Sequence, residues 1–223
     1  MKLAIFDFDG TLFPKDTLPF LLTEWKQLKC SRFKIYKTYL AFIPLFFQYK
    51  LGVFTKLSRE QMKIQAVRKF NTIFDGMTEQ DLNEFFLSCS QKIAGQLNKT
   101  VVQEVKRARD EGFHTVLLSG TYNDLLQIIS QQLEFDTAIG SEMYFDNGIF
   151  DSTKELKIII GDQKLKKIHE HFSKEQVDWD GSRAYADGYS DLDLLQAVGQ
   201  PIAVNPDAEL KVVATENNWR IMS

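Results

Sequence analysis

Asp7-Phe8-Asp9-Gly10-Thr11-Leu12 places two carboxylates two residues apart, followed by a glycine and a hydroxyl. Three later stretches carry matching equipment: Ser119-Gly120-Thr121, Gly161-Asp162-Gln163-Lys164, and Asp187-Gly188-Tyr189-Ser190-Asp191. Taken singly, each has an ordinary structural explanation. Asp-x-Asp-Gly makes turns, Ser-Gly-Thr caps helices, and a lone lysine decorates a surface. Brought together, they would converge four carboxylates (Asp7, Asp9, Asp187, Asp191), the Ser119 hydroxyl and the Lys164 ammonium. Like charges ~4 Å apart repel by about 4 kcal/mol at an effective dielectric of ~20, so such a cluster demands a cation. An all-oxygen donor set suits a hard divalent ion, and Mg²⁺ leaves positions open for water and a substrate phosphate. A carboxylate nucleophile, a metal, a lysine and loop N–H groups are the requirements of phosphoryl transfer through an aspartyl-phosphate that water hydrolyses.

Convergence requires that three of the stretches follow strands, and that the Lys164 stretch open a helix, at the carboxyl end of one sheet. Lys2 to Phe6 is a short apolar run ending in a glycine-containing turn and reads as a buried strand. From Lys99 onward the pattern alternates. Helices are expected at 99–111, 122–133, 162–172, 190–197 and 207–217, with strands at 114–118, 136–140, 183–186, 201–204 and 219–222. A hairpin, 141–145 with 149–151, turns at Asp146-Asn147-Gly148. Alternating strands and helices predict an α/β fold, a Rossmann-like parallel sheet with helices on both faces. Such sheets bind ligands at the carboxyl ends of their strands, where all four stretches lie. Between the first strand and residue 96 only helical periods appear, at 17–28, 32–50 (broken near Pro44), 57–70 and 79–95. The expected organisation is a catalytic core of residues 1–12 and 96–223 with an inserted all-helical cap of residues 13–95.

Charge marks the insertion independently. The chain carries a net −3, yet residues 13–70 hold 12 Lys and Arg against 3 Asp and Glu, so the remainder is strongly acidic. The same segment holds 12 aromatic residues. A hydrophobic share of 44% suffices for a packed core, which excludes disorder. Cys30 and Cys89 make no disulfide framework and no CxxC pair, which fits a reducing compartment. The first apolar run is too short for a signal peptide, and Tyr39–Phe47 falls short of the ~20 residues that span a bilayer. The expected setting is cytoplasmic, with no transmembrane segment and no nucleic-acid partner; oligomeric state is left open. His114, His169 and His171 are too scattered for a metal site, and Trp25, Trp179 and Trp219 read as packing residues.

These motifs resemble those of the haloacid dehalogenase superfamily of aspartate-nucleophile hydrolases, and within it the phosphoserine phosphatase-like subfamily with a helical cap after the first motif. Asp7–Leu12 is similar to the first motif, Ser119-Gly120 to the second, Lys164 to the third, and Asp187 with Asp191 to the fourth. The stretch Ala197–Asp207 also resembles this subfamily. The likeness covers residues 1–12 and about 96–223; over the cap it is one of length, helicity and position. The resemblance implies a role for each residue. Asp7 would be the nucleophile and a metal ligand. Asp9 would be the general acid and then the base, its backbone carbonyl also on Mg²⁺. Phe8, Thr11, Ser119 and Gly120 would form the phosphate-binding loop. Lys164 would bridge Asp7 and the phosphate, and Asp187 and Asp191 would hold Mg²⁺ directly or through water. Two departures stand out. Gly188 takes a place often held by serine. Asp16, nine residues after the nucleophile, stands where phosphoserine phosphatases carry the glutamate that reads the substrate's amino group, one methylene shorter.

The expected activity is therefore Mg²⁺-dependent phosphomonoester hydrolysis of a small phosphorylated metabolite, phosphoserine-like or other. Carbon–halogen hydrolysis does not use a second aspartate, so Asp9 argues against it. A non-enzymatic phosphate-binding or phosphoacceptor module of the receiver type lacks an Asp-x-Asp motif and a large helical insertion. A lipid phosphate phosphatase, touching a membrane peripherally through the basic aromatic cap, is the alternative substrate reading.

Overall fold

The computed structural model describes residues 1–27, 32–51, 59–154 and 156–223; within these, nothing is said of the side chains of residues 32, 37, 46, 48–51 and 59–60. Cys30 and the 57–58 start of the third expected helix lie outside the described residues.

The strands β1 (Leu3–Asp7), β2 (His114–Tyr122), β3 (Thr137–Ser141), β6 (Arg183–Ala186), β7 (Gln200–Val204) and β8 (Arg220–Met222) form one sheet in the order β3-β2-β1-β6-β7-β8. Every pairing in it is parallel. β1 is fully buried along its length, as a central strand covered on both faces must be. Alternate residues feed two cores. Ala4, Phe6, Leu117, Tyr185 and Val204 belong to one. Leu3, Ile5, Val116, Leu118, Ala184 and Ala203 belong to the other, roofed by α7 (Asp162–His171), α8 (Leu192–Gln196) and α9 (Ala208–Glu216). Trp179 and Trp219 pack against this second core and Trp25 is buried in the first, as packing residues should be.

The first core does not end at the sheet. It continues through Leu12, Phe13, Leu21 and Trp25 into the helical block α1 (Thr17–Gln27), α2 (Arg32–Leu51), α3 (Arg59–Asn71) and α4 (Glu79–Ala94). Phe74 is its hub, with ring contacts to Trp25, Phe70, Phe85, Phe86, Tyr122 and Phe150 at centroid distances of 5.4 to 6.4 Å. Edge-to-face aromatic pairs contribute about 0.5–1.5 kcal/mol each beyond burial, so this cluster fastens the insertion to the end of β2. α4 also has a Thr78–Asp81 capping box, and Asn98 caps α5 (Lys99–Asp110) while its N–H donates to the Leu12 carbonyl at 2.9 Å. The chain thus re-enters the sheet layer beside the loop it left.

Three local expectations are corrected. α2 runs unbroken through Pro44. A proline inside a helix costs about 3 kcal/mol through its missing N–H and its clash with the preceding turn. Ile35, Thr38 and Leu45 are buried on one side of α2 on both sides of the proline, and this packing carries the axis through. The hairpin strands shrink to β4 (Phe145–Asp146) and β5 (Ile149–Phe150), because Ser141 is already paired to Tyr122 in the parallel sheet. Its turn is as expected, with Asn147 and Gly148 both at positive φ. The expected helix 190–197 is a 3-10 turn, Tyr189–Asp191, followed by the short α8.

Candidate active site

Strand order alternates about β1: β2 and β3 lie to one side, β6, β7 and β8 to the other. This switch point opens a crevice at the carboxyl ends of β1 and β6. Asp7 is the last residue of β1 and pairs with Leu118, so Ser119 is one step beyond it on the neighbouring strand. Phe6 pairs with Tyr185, so Asp187 lies just past the end of β6 on the other side.

Beyond Asp7 the chain folds back tightly. The Gly10 N–H donates to the Phe13 carbonyl at 2.7 Å, and the Phe13 N–H to the Phe8 carbonyl at 2.8 Å. Gly10 sits at φ +83°, the left-handed region that a side chain resists. Phe8 points its ring into the core, fully buried and stacked on Phe13. Thr11 is buried too, and its hydroxyl donates to Asp187 Oδ1 at 3.4 Å.

Lys164, near the start of α7, is buried and donates to Asp7 Oδ1 at 2.6 Å and Asp191 Oδ2 at 2.8 Å. The Asp191 N–H closes the 3-10 turn onto the Gly188 carbonyl at 3.0 Å, within the same turn that carries the Asp191 carboxylate. Asp191 Oδ1 is buried and has no hydrogen-bond partner among the described residues. One oxygen each of Asp7, Asp187 and Asp191 lies within 4.8 Å of the others. A buried orphan carboxylate oxygen within a three-acid cluster is the donor chemistry a hard divalent cation satisfies. The residues therefore fit Mg²⁺, with Asp7, Asp187 and Asp191 as its side-chain ligands.

The electrostatics agree. Burial above all, with Asp191 and Asp187 adding to it and Lys164 opposing, pushes the Asp7 carboxyl up to about 7. Burial likewise raises Asp187 to about 6, with Asp191 adding to the rise and Lys164 and Lys63 countering it. Lys164 loses to burial but gains more from Asp191 and Asp7, so it stays protonated well above the ordinary lysine range. A cation among them would favour the ionised carboxylates.

Asp9 is kept apart from that cluster. Its Oδ1 accepts from the Thr17 N–H at 3.0 Å and from the Thr17 hydroxyl, at the N-terminus of α1. Burial pushes Asp9 up to about 7; the Thr17 hydrogen bond opposes this, Asp7 and Asp16 add to it, and Lys63 opposes it. A carboxyl poised near neutrality can both give and take a proton. Asp16 is exposed just before α1, near enough for its charge to act on Asp9. Opposite Asp7, the buried Ser119 Oγ accepts from the Thr121 N–H at 3.2 Å. A Cβ on Gly120 would come within 2.8 Å of the Ile159 carbonyl, so only glycine fits there.

Sequence reasoning overlooked four residues here. Thr17 orients Asp9. Ser141 donates to the Gly120 carbonyl at 2.8 Å and accepts from the Ile159 N–H at 3.2 Å, fixing the second loop. The Thr121 hydroxyl is buried beside Ser119 with no partner among the described residues. Lys63, from α3, brings a cap charge to Asp9 and Asp187. Thr17 stands one position after Asp16 as the first residue of α1, and Thr121 belonged to the Ser119-Gly120-Thr121 stretch without a role of its own; Lys63 is one of many cations in its segment.

Comparison with known proteins identifies the fold family. Residues 4–196 match the haloacid dehalogenase-like hydrolase family, and the chain belongs to it. A phosphoserine phosphatase, SerB1, from Mycobacterium tuberculosis is 30% identical over 112 residues, 50% of this chain but only 36% of that protein. A histidinol-phosphatase from Neisseria meningitidis serogroup C is 25% identical over 241 residues, covering 100% of this chain and 98% of its own. Among solved structures, a Bordetella pertussis protein of unknown function superposes with a TM-score of 0.82 at 19% identity, covering 100% of this chain and 98% of that one.

Proposed function

We propose that this chain is a Mg²⁺-dependent phosphomonoester hydrolase that works through an aspartyl-phosphate on Asp7, with residues 13–95 as the cap over the site. The observation that carries the reading is the buried Asp7–Lys164–Asp191 bridge, with an unsatisfied Asp191 oxygen and Asp187 within 4.8 Å. Mg²⁺ held by Asp7, Asp187 and Asp191 supplies charge neutralisation for the transferring phosphoryl group.

The chain's own residues do the rest. Ser119 and the Gly120 N–H hold phosphate oxygens, and Lys164 neutralises the charge gathered around Asp7. An Asp7 carboxylate oxygen bonds to phosphorus as the ester P–O bond breaks, and protonated Asp9 gives its proton to the leaving oxygen. Asp9, now ionised, takes a proton from the water that attacks phosphorus. The bond to Asp7 then breaks, releasing inorganic phosphate and restoring both groups.

Two relatives are named for phosphoserine and histidinol phosphate. Both compounds are alkyl phosphates with an ammonium group two carbons from the ester oxygen. Asp16, exposed beside Asp9, is placed to meet such a cation, and a small 2-aminoalkyl phosphate is the substrate class this favours. The test is turnover of p-nitrophenyl phosphate with Mg²⁺ and with excess chelator, in wild type and Asp7→Asn. Turnover is expected only in wild type with Mg²⁺, along with a phosphoryl adduct on Asp7 by mass spectrometry. Full activity of Asp7→Asn, or activity in chelator, would refute the mechanism.

A further inference from the structure

α2 is apolar on two opposite sides. Ile35, Thr38 and Leu45 are buried against the molecule. Phe33 (77% exposed), Tyr36 (69%), Leu40 (66%), Ile43 (50%) and Phe47 (46%) face solvent. The exposed set is spaced by three and four residues alternately, which places all five on one stripe at about 100° per residue. Exposed Phe or Leu singly is ordinary, but five large apolar side chains in a continuous stripe mark a contact surface.

Charge decides what the stripe contacts. Residues 25–59 contain eight lysines and arginines and no aspartate or glutamate, although the chain as a whole is net −3. On a helical projection, positions 32, 37 and 50, all basic, border the stripe. A second copy docking stripe to stripe would bring two such acid-free stretches together and repel. An anionic surface would be attracted by the same charges. Aromatic and aliphatic side chains flanked by cations are suited to the headgroup boundary of a bilayer. No described helix is long and apolar enough to cross a membrane, so the contact lies along the surface.

We infer that the outer face of α2 docks this protein on an anionic lipid surface, with the Phe33–Phe47 stripe inserted at the headgroup boundary and the surrounding lysines and arginines against the lipid charge. The docking does not rest on the phosphatase reading. Each inserted apolar side chain strengthens binding about tenfold, and each basic residue beside an anionic leaflet about fivefold.

The experiment is co-sedimentation of the full chain with phosphatidylcholine vesicles, with and without about a third phosphatidylglycerol, at about 0.05 M and about 0.5 M salt. Binding is expected only to the anionic vesicles and only at low salt. The variant Phe33→Ser/Leu40→Ser/Ile43→Ser should bind at least about a hundredfold more weakly. Its circular dichroism and its rate on any soluble phosphate that wild type hydrolyses should be unchanged. Lys37→Glu/Lys50→Glu should weaken binding at least about tenfold, which keeps the test decisive should the serine variant fold poorly. Wild type left in the supernatant with anionic vesicles overturns the inference, as does binding indifferent to both variants. A wild-type dimer that the serine variant converts to monomer, without vesicle binding, overturns it in favour of a second copy.

Discussion

Gly10→Ala tests the site's geometry without touching a reacting group. A Cβ at Gly10 would stand 2.2 Å from Asp187 Oδ2, 2.4 Å from its Cγ and 2.8 Å from Oδ1. Non-bonded heavy atoms settle at about 3.5 Å, so the Asp187 carboxylate must retreat by about 1 Å. Mg²⁺ demands near-ideal geometry at about 2.0–2.1 Å, and a ligand so displaced is lost to it. The Thr11 hydroxyl contact with Asp187, already 3.4 Å, goes with it. The half-saturating Mg²⁺ concentration should rise at least about tenfold, in line with what ligand-orienting changes do elsewhere. Stability should fall by about 1–2 kcal/mol from alanine in the left-handed region and about 1–3 kcal/mol more from the overlap. The decisive comparison is Asp187→Ala. Truncation removes all three atoms that the new methyl meets, so adding Gly10→Ala to it should cost only the backbone part and leave the Mg²⁺ requirement where Asp187→Ala put it. Titration of Mg²⁺ against p-nitrophenyl phosphate turnover and urea unfolding in chelator read the two quantities. Equal effects of Gly10→Ala in both backgrounds, or an unchanged Mg²⁺ requirement in wild type, would refute the placement of Asp187.

Asp9→Asn should slow alkyl phosphates far more than p-nitrophenyl phosphate, whose leaving group departs with little protonation; an unchanged activity ratio removes Asp9 from the acid role. In chelator, the raised carboxyls set a pH dependence of stability. Asp7 and Asp9 have folded values of about 7 against an ordinary 3.8, so the folded state binds more protons between them. Stability should therefore decline as pH rises from about 4 to about 7, and Mg²⁺ at neutral pH should restore it; urea midpoints that rise over this window would contradict the burial of these groups. On the α5 side of the sheet, Glu104 accepts from Arg220 at 3.0 and 2.8 Å and from the Tyr185 hydroxyl at 2.9 Å. Burial pushes its carboxyl up, but the Arg220 and Tyr185 hydrogen bonds outweigh this and hold it below the usual range. Arg220→Met should destabilise by about 1–3 kcal/mol at neutral pH, and the deficit should shrink as pH falls below about 4.5, where Glu104 protonates in both proteins; a deficit constant down to pH ~3 would show another cause.

How far the sequence was readable follows from where each residue stands relative to a strand. Asp7 ends β1, Asp187 lies one residue beyond β6, and Ser119 follows the last residue of β2 that pairs with β1; parallel register carries that one-dimensional position into space almost without change. Asp191 lies in the 3-10 turn that follows β6 and Lys164 in the first turn of α7, so they too were legible once the elements were. The hairpin's positive-φ turn was equally local, while its strand lengths were not, since Ser141 belonged to a competing pairing. The helical insertion obeys a different logic. α2 carries apolar residues on both sides, so its periodicity could not say which side faces inward, and its proline argued for a break that burial of Ile35 and Leu45 overrides. Lys63 reaches the site only because α3 is held by Phe70 against Phe74 and by the Tyr122 hydroxyl donating to Asn71 Oδ1 at 2.5 Å. The Tyr122–Asn71 bond joins residues 51 positions apart, which no local pattern encodes. The strand-end carboxylates are held by the register of the sheet, whereas Lys63, whose charge acts on Asp9 and Asp187, is carried by the helical insertion, and Asp16 stands exposed just before α1. The strand-end carboxylates and the insertion are thus held by separate devices, register in one and helix packing in the other.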